Sequence, residues 1–313
     1  MKFKEWLKNK MRNALNLVEI EDSIKIIRED IHSIAASHNV DDCLVDKFYL
    51  EDKDATTLLL NNLVNTSKPG SIFTCNINGI NLLSPVELLR TYPHCLHPQA
   101  ECNLTYYVET AHSDWLCSRL KPGNVALDIG AAFGVISVAL SKSVGNKGHV
   151  YSFEPSCTAN QSLQKLLDIN NIENVTIVKK AISDVSDTIE FIEYTSDNEL
   201  SWASDTSTLA SPNINPTMKH LRYQVDVTTI DEYVTAQKIQ PKGIKIDIEG
   251  FELYALQGGK TTLEKYLPYL CIDIHSDVRT GVSALEGVEP FLSKIGYKME
   301  MEGHALLCTP KKL

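Results

Sequence analysis

Leu127-Asp128-Ile129-Gly130-Ala131-Ala132-Phe133-Gly134 is the stretch that decides the fold. A short apolar strand, Val125–Ile129, runs into a turn of small residues, and a helical pattern begins behind it at Val135–Ser143. Gly130 and Gly134 let backbone and ligand approach closely. The spacing is D-x-G-x-x-x-G. It is not the G-x-G-x-x-G of a dinucleotide site, where the helix start must meet a pyrophosphate. Outward from this turn, strand and helix alternate: His149–Glu154, a helix over Thr158–Ile169, Val175–Lys179, a hairpin-like Thr188–Tyr194, then Tyr223–Val227, Gly243–Ile248 and Leu270–Ile274. The chain closes with Tyr297–Met301 and Ala305–Cys308 around Glu302-Gly303. That alternation predicts an α/β fold with a parallel sheet covered on both faces, and the last pair adds an antiparallel edge. Residues 195–222 form a polar insertion, read either as a substrate lid or as a surface loop.

In an open α/β sheet, ligands bind outside the carboxyl ends of the strands. The second strand ends at Phe153-Glu154-Pro155, where a carboxylate can accept hydrogen bonds from both hydroxyls of a ribose. The third is followed by Ala181-Ile182-Ser183-Asp184. There a polar pair can meet an adenine edge, with Ile182 packing on the ring. Each feature alone also fits a loop capped by a carboxylate. On three successive strand ends they point to a nucleoside site.

The second informative stretch is Ile244-Lys245-Ile246-Asp247-Ile248-Glu249-Gly250-Phe251-Glu252. In a strand, alternate residues face opposite sides. Ile244, Ile246 and Ile248 therefore share one face, and Lys245, Asp247 and Glu249 the other. A central parallel strand should be apolar on both faces, so three charges on one face are costly unless paired or functional. In the next strand Asp273 and His275 lie on the face of Cys271. If the two strands are neighbours, five ionisable groups converge. A structural salt bridge accounts for part of Lys245; a catalytic or metal role is expected of Asp247, Glu249 or His275.

These stretches, with Thr229-Ile230-Asp231-Glu232-Tyr233, resemble the FkbM-type S-adenosylmethionine-dependent methyltransferases over roughly residues 115–300. Lys245–Gly250 is the most specific part; the glycine turn alone fits any class I methyltransferase. The resemblance implies a Rossmann-like, mostly parallel sheet of seven strands. It also implies O-methylation, often of sugar or polyketide hydroxyls. By that reading Gly130, Ala131 and Gly134 border the methionine part of S-adenosylmethionine, and Asp128 helps orient it. Glu154 holds the ribose, and Ile182, Ser183 and Asp184 meet the adenine. Asp247 is the first choice as base or metal ligand. Glu249 and His275 support it, and Lys245 anchors the carboxylates. A divalent metal, if used, falls to Asp247 and Glu249. The chain departs from the family pattern in two places. Ala132-Phe133 stands where Asn-Ile or Asn-Val is more usual, and Asp273 stands where Glu is.

Two rivals remain. One is a nicotinamide-dependent dehydrogenase, against which the missing G-x-G-x-x-G speaks. The other is a non-catalytic nucleoside-binding module that keeps the fold.

The expected division is a mainly helical region at 1–110, with a hairpin near 72–83 around Asn78-Gly79, and a methyltransferase domain at 111–313. Residues 1–18 carry an apolar helical stripe. Lys2, Lys4, Lys8, Lys10 and Arg12 stand on its other face against one acid, Glu5. Such a helix fits an anionic membrane surface, its own domain or a second subunit. An isoleucine stripe at Ile20, Ile24, Ile27, Ile31 and Ile34 follows. The 313 residues are 43% hydrophobic and 22% charged, with formal charge −10. That composition is globular, and the acidity disfavours general binding to nucleic acid. The expected partner is a small-molecule or glycan acceptor. The eight cysteines make no C-x-x-C pair, and no secretory apolar block opens the sequence. A cytoplasmic protein, peripheral to a membrane at most, is expected. His94, Cys95, His97 and Cys102 fit no common zinc spacing and read as a loop.

Overall fold

The computed structural model describes residues 53–97, 104–194, 208–209 and 219–311. The expected basic helix over 1–18 and the isoleucine stripe behind it lie outside these residues. The chain divides into two units, Met1–Val108 and Glu109–Leu313.

In the first unit, helix α1 (Lys53–Thr66) is followed by strands β1 (Ile72–Ile77) and β2 (Ile80–Pro85), helix α2 (Val86–Thr91) and a short strand β3 (Thr105–Tyr106). β1 and β2 pair antiparallel, and β3 joins β1 in parallel. Asn78 (φ +50°) and Gly79 (φ +77°) both take left-handed backbone, the requirement of the expected hairpin turn. The buried Arg90 of α2 donates to the carbonyl oxygens of Val64, Asn65 and Ser67, satisfying groups that the end of α1 leaves open. Residues 93–95 form one 3-10 turn, and no metal-capable group among the described residues includes His94, Cys95 or His97. Cys102 lies outside the described residues.

The second unit runs α3 (Thr110–Cys117), β4 (Val125–Ile129), α4 (Val135–Val144), β5 (His149–Phe153), α5 (Cys157–Ile169), β6 (Val175–Val178), β7 (Ala181–Ile182), β8 (Asp187–Tyr194), β9 (Thr208–Leu209), β10 (His220–Thr228), α6 (Ile230–Gln237), β11 (Pro241–Ile246), α7 (Glu252–Gly258), α8 (Lys260–Tyr266), β12 (Tyr269–Asp273), α9 (Leu285–Ile295), β13 (Tyr297–Glu302) and β14 (Ala305–Pro310). Seven strands form the main sheet in the order β13-β14-β12-β11-β4-β5-β6. All pairings from β12 to β6 are parallel, and β14 runs antiparallel between β12 and β13. Leu127, Ile129, Phe153, Ile244, Ile246, Leu270 and Ile272 are buried on one face of the sheet, and Ala126, Asp128, Val150, Ser152, Lys245 and Cys271 at the alternate positions are buried on the other, as strands covered on both faces require.

Three expectations are corrected here. Tyr223–Val227 is not a strand of the main sheet. It belongs to β10, which pairs antiparallel with β8 in a second sheet of order β7-β10-β8-β9. The expected insertion is shorter at its end, because His220–Arg222 already belong to β10; of the rest only Thr208–Leu209, paired with β8, and Lys219 are described. The charged strand stops at Ile246. Glu249 (φ +52°) and Gly250 (φ +99°) take left-handed backbone, so Asp247 and Glu249 leave the strand and its two-residue alternation no longer governs them. No helix among the described residues is long and apolar enough to cross a membrane.

Candidate active site

β4 and β11 are neighbours, so the glycine turn after β4 meets the charged turn after β11. The Asp247 N–H donates to Ile129 O at 2.9 Å. A Cβ built on Gly130 (φ +80°) would lie 1.7 Å from the Asp247 carbonyl oxygen, and one on Gly134 would lie 2.1 Å from Leu163 Cδ1. Both glycines thus have a packing reason: one seats the turn against β11, the other seats α4 against α5. Ala132 takes φ +44° in the same turn. The asparagine more usual there visits that conformation more easily.

Asp128 is fully buried and accepts from Ser137 Oγ at 2.6 Å, while its Oδ1 is buried without a hydrogen bond. Burial pushes its carboxyl pKa up, against the pull of Lys245. Glu154, just after β5, accepts from the Ser156 N–H at 2.7 Å on Oε1 and from the Ala132 N–H at 2.8 Å on Oε2. Burial outweighs these two bonds and raises its pKa to about 7. Ser183 Oγ donates to Asp184 Oδ1 at 3.0 Å, and Arg279, which stacks 3.8 Å from the Tyr254 ring centroid, lies 3.7 Å from the Asp184 carboxylate. Ile182 is corrected: its side chain is 2% exposed, packed with Phe153, Val178 and Ile230, and offers no face to an adenine ring. The Gly130–Gly134 turn and Glu154 follow the neighbouring strands β4 and β5 of the main sheet, and the Ser183–Asp184 pair follows β7, which belongs to the second sheet. That donor and acceptor set fits an adenosyl group.

The expected convergence around Lys245 is present. Its Nζ lies 3.0 Å from Asp247 Oδ2 and 3.8 Å from Glu109 Oε2, and it donates to Gly130 O at 3.2 Å. Burial opposes the charge, but the three carboxylates of Asp247, Glu109 and Asp128 hold the ammonium well above its ordinary pKa. The salt bridge expected of Lys245 therefore exists, and it ties the glycine turn to the carboxylates. His275 Nε2 lies 3.8 Å from both Asp247 Oδ1 and Glu249 Oε2, while Nδ1 lies 2.9 Å from Glu252 Oε1. Burial disfavours the imidazolium; the bond to Glu252 and the charges of Glu249 and Asp247 outweigh that and raise its pKa to about 9. Burial alone would raise the pKa of Asp247, yet Lys245 and His275 bring it below the ordinary carboxyl value.

Sequence reasoning missed Glu109 and the role of Glu252. Glu252 is fully buried, accepts from the Gly250 N–H at 3.0 Å and fixes the His275 ring. Its signal was in plain view, three residues beyond Glu249 in the quoted run. Glu109 opens α3 with left-handed backbone (φ +44°), and burial raises its pKa against Lys245. No local pattern marks it. Glu109, Ala132 and Glu249 are three non-glycine residues in left-handed backbone around one site, where such strain tends to collect.

Residues 128–299 match the family model described as the Methyltransferase FkbM domain, more than half of the chain. The chain belongs to the FkbM methyltransferase family. With the seven-stranded sheet, this gives it the fold of an S-adenosylmethionine-dependent methyltransferase. Among solved structures, an FkbM methyltransferase from Methylobacillus flagellatus KT is 19% identical, with TM-score 0.42, covering 64% of this chain and 51% of its own. This chain thus spans about half the length of that protein. An S-adenosylmethionine-dependent methyltransferase from Aquifex aeolicus is 15% identical, with TM-score 0.34, covering 64% of this chain and 86% of its own. Aeropyrum pernix fibrillarin, solved with natively bound S-adenosyl-L-methionine, is 10% identical with TM-score 0.40, covering 78% of this chain and 85% of its own. These distant likenesses fix no residue's role in this FkbM chain. No curated protein matched the sequence.

Proposed function

We propose that this FkbM protein transfers a methyl group from S-adenosylmethionine to a hydroxyl oxygen of a sugar, glycan or related natural product. The observation that supports this reading best is the placement of Asp247, Glu249 and His275 immediately beside the turn that would hold the cofactor. S-adenosylmethionine, when bound, supplies a methyl already activated for attack by a nucleophilic oxygen. The chain must then align the acceptor and manage its proton. Alignment alone can contribute several kcal/mol.

In this reading Glu154 accepts from the ribose hydroxyls. Ser183 and Asp184 bind the adenine edge, and Gly130, Ala131 and Gly134 border the methionine part. Lys245 holds Asp247 in place. Asp247 accepts a hydrogen bond from the acceptor hydroxyl and orients its lone pair. With a lowered pKa it is a weak base by itself, so the neighbouring Glu249 completes the acceptor for the proton. His275, charged at neutral pH, holds the two carboxylates together. If a divalent cation enters this cluster, Asp247 and Glu249 are its carboxylate ligands.

Asp247→Asn tests the assignment. Mass spectrometry of glycans and lipids from cells with and without the protein should reveal one added methyl on an oxygen. The variant should lose it by about a hundredfold or more, while calorimetric affinity for S-adenosylhomocysteine changes only about threefold. Wild-type methylation by the variant, or a methyl on nitrogen or carbon, contradicts the reading.

A further inference from the structure

A second ligand set stands beside this one, and the proposed methyl transfer does not use it. Asp273 ends β12, His304 sits in the β13–β14 turn, and His112 lies in α3. The backbone fixes two of the three. Asp273 pairs with Ala305, and the Ile274 N–H donates to His304 O at 3.0 Å. His304 Nε2 consequently lies 3.3 Å from Asp273 Oδ2. The His112 and His304 rings stand edge to face, 5.2 Å between centroids and 89° between planes. One ligand atom from each of the three residues lies within 4.8 Å of the other two.

That spread suits a metal ion. Bonds of about 2.1 Å place neighbouring ligand atoms about 3–4 Å apart, so a small contraction closes the set. An independent observation points the same way. Asp273 is only 8% exposed, and its Oδ1 is buried without a hydrogen bond. A buried carboxylate oxygen left unbonded is costly unless something cationic meets it. Among the described residues, its ion pair is with His304 and none is with a lysine or arginine. The Asp247 cluster differs in this respect, because the Lys245 ammonium already stands 3.0 Å from Asp247.

We propose that His112, Asp273 and His304 form a binding site for a divalent transition cation of the zinc class. Two imidazoles and one carboxylate favour Zn2+, Co2+ or Fe2+ over Mg2+, which prefers oxygen ligands alone. Three protein ligands leave a position open for water or a hydroxyl. The site stands whether or not the methyl acceptor is a sugar.

The test uses the full-length, tag-free protein, freed of metal by chelator and titrated calorimetrically with Zn2+. Co2+ is added in parallel and read by visible absorption. One ion per chain is expected, with nitrogen–oxygen ligation and no thiolate-to-cobalt band. Asp273→Asn, His304→Ala and His112→Ala should each weaken Zn2+ binding about tenfold or more. Glu249→Gln should leave it within about twofold. His304 is 65% exposed in a turn, so its variant reads the site even if the Asp273 variant fails to fold. Circular dichroism checks the fold of each. No binding to the wild type, binding that survives His304→Ala and His112→Ala, a thiolate band, or loss in Glu249→Gln alone would each overturn the proposal.

Discussion

At the scale of single residues, Glu154 carries the cofactor reading. Its two oxygens are each held by a backbone N–H, and burial raises its pKa from 4.5 to about 7. The sign follows from which form each process favours. In the free protein the raised pKa means that folding favours protonated Glu154. That stability is full below about pH 4.5 and is lost as pH rises through 7. Ribose hydroxyls donate, so binding favours the carboxylate. Affinity for S-adenosylhomocysteine, measured by calorimetry, should therefore fall as pH drops through 7. Glu154→Gln should bind about ten- to a hundredfold more weakly at pH 8, the worth of a hydrogen bond to a charged group. It should also lose the pH dependence between pH 5.5 and 8. An unchanged profile in the variant would remove Glu154 from the site. His275 runs the other way in role. Its pKa of about 9 keeps it charged at neutral pH, and the stability it adds is full below about 6.5 and lost as pH rises through 9.

At the scale of elements, the glycine turn joins β4 to α4 and seats both. Gly130→Ala forces a side chain into positive φ and into the immovable Asp247 carbonyl. It should cost about 3 kcal/mol or more in urea unfolding. Gly134→Ala meets the flexible end of Leu163 instead and should cost about 1–2 kcal/mol. Equal losses would mean that the contact with β11 matters less than the shared backbone strain. The strands β4, β5, β12 and β14 were legible as short, largely apolar runs bounded by turns, and β13 by its alternation of apolar and charged residues. The positions of Gly130, Gly134 and Glu154 were legible too, since they stand at strand ends that the same pattern locates. Where local pattern stops, so did the reading. Strand alternation was carried past Ile246 because Glu249, unlike a glycine, gives no warning of left-handed backbone. Ile182 was placed on a ligand because its run could not show that the side chain turns into the core. Glu109 reaches Lys245, and His112 and His304 reach Asp273, only through the order of strands and the placement of α3, which no local spacing encodes.

At the scale of the whole molecule, the formal charge of −10 is not carried wholly at the surface. Asp128, Glu154, Glu193, Glu252 and Asp273 are buried, and burial raises the pKa of Asp128, Glu154 and Asp273. The Glu109–Leu313 unit contains the whole family match and every residue of the candidate site. Among the described residues of the Met1–Val108 unit, β1 and β2 pair in a hairpin and the buried Arg90 bonds the end of α1. The central claim is that the second unit binds an adenosyl methyl donor, and not a dinucleotide, at the ends of β4 and β5. Calorimetric titration of the full-length protein with S-adenosylhomocysteine and, separately, with NAD tests it most directly. One S-adenosylhomocysteine per chain and no saturable heat with NAD is the predicted result. Saturable NAD binding, or no S-adenosylhomocysteine binding by a folded chain, would contradict it.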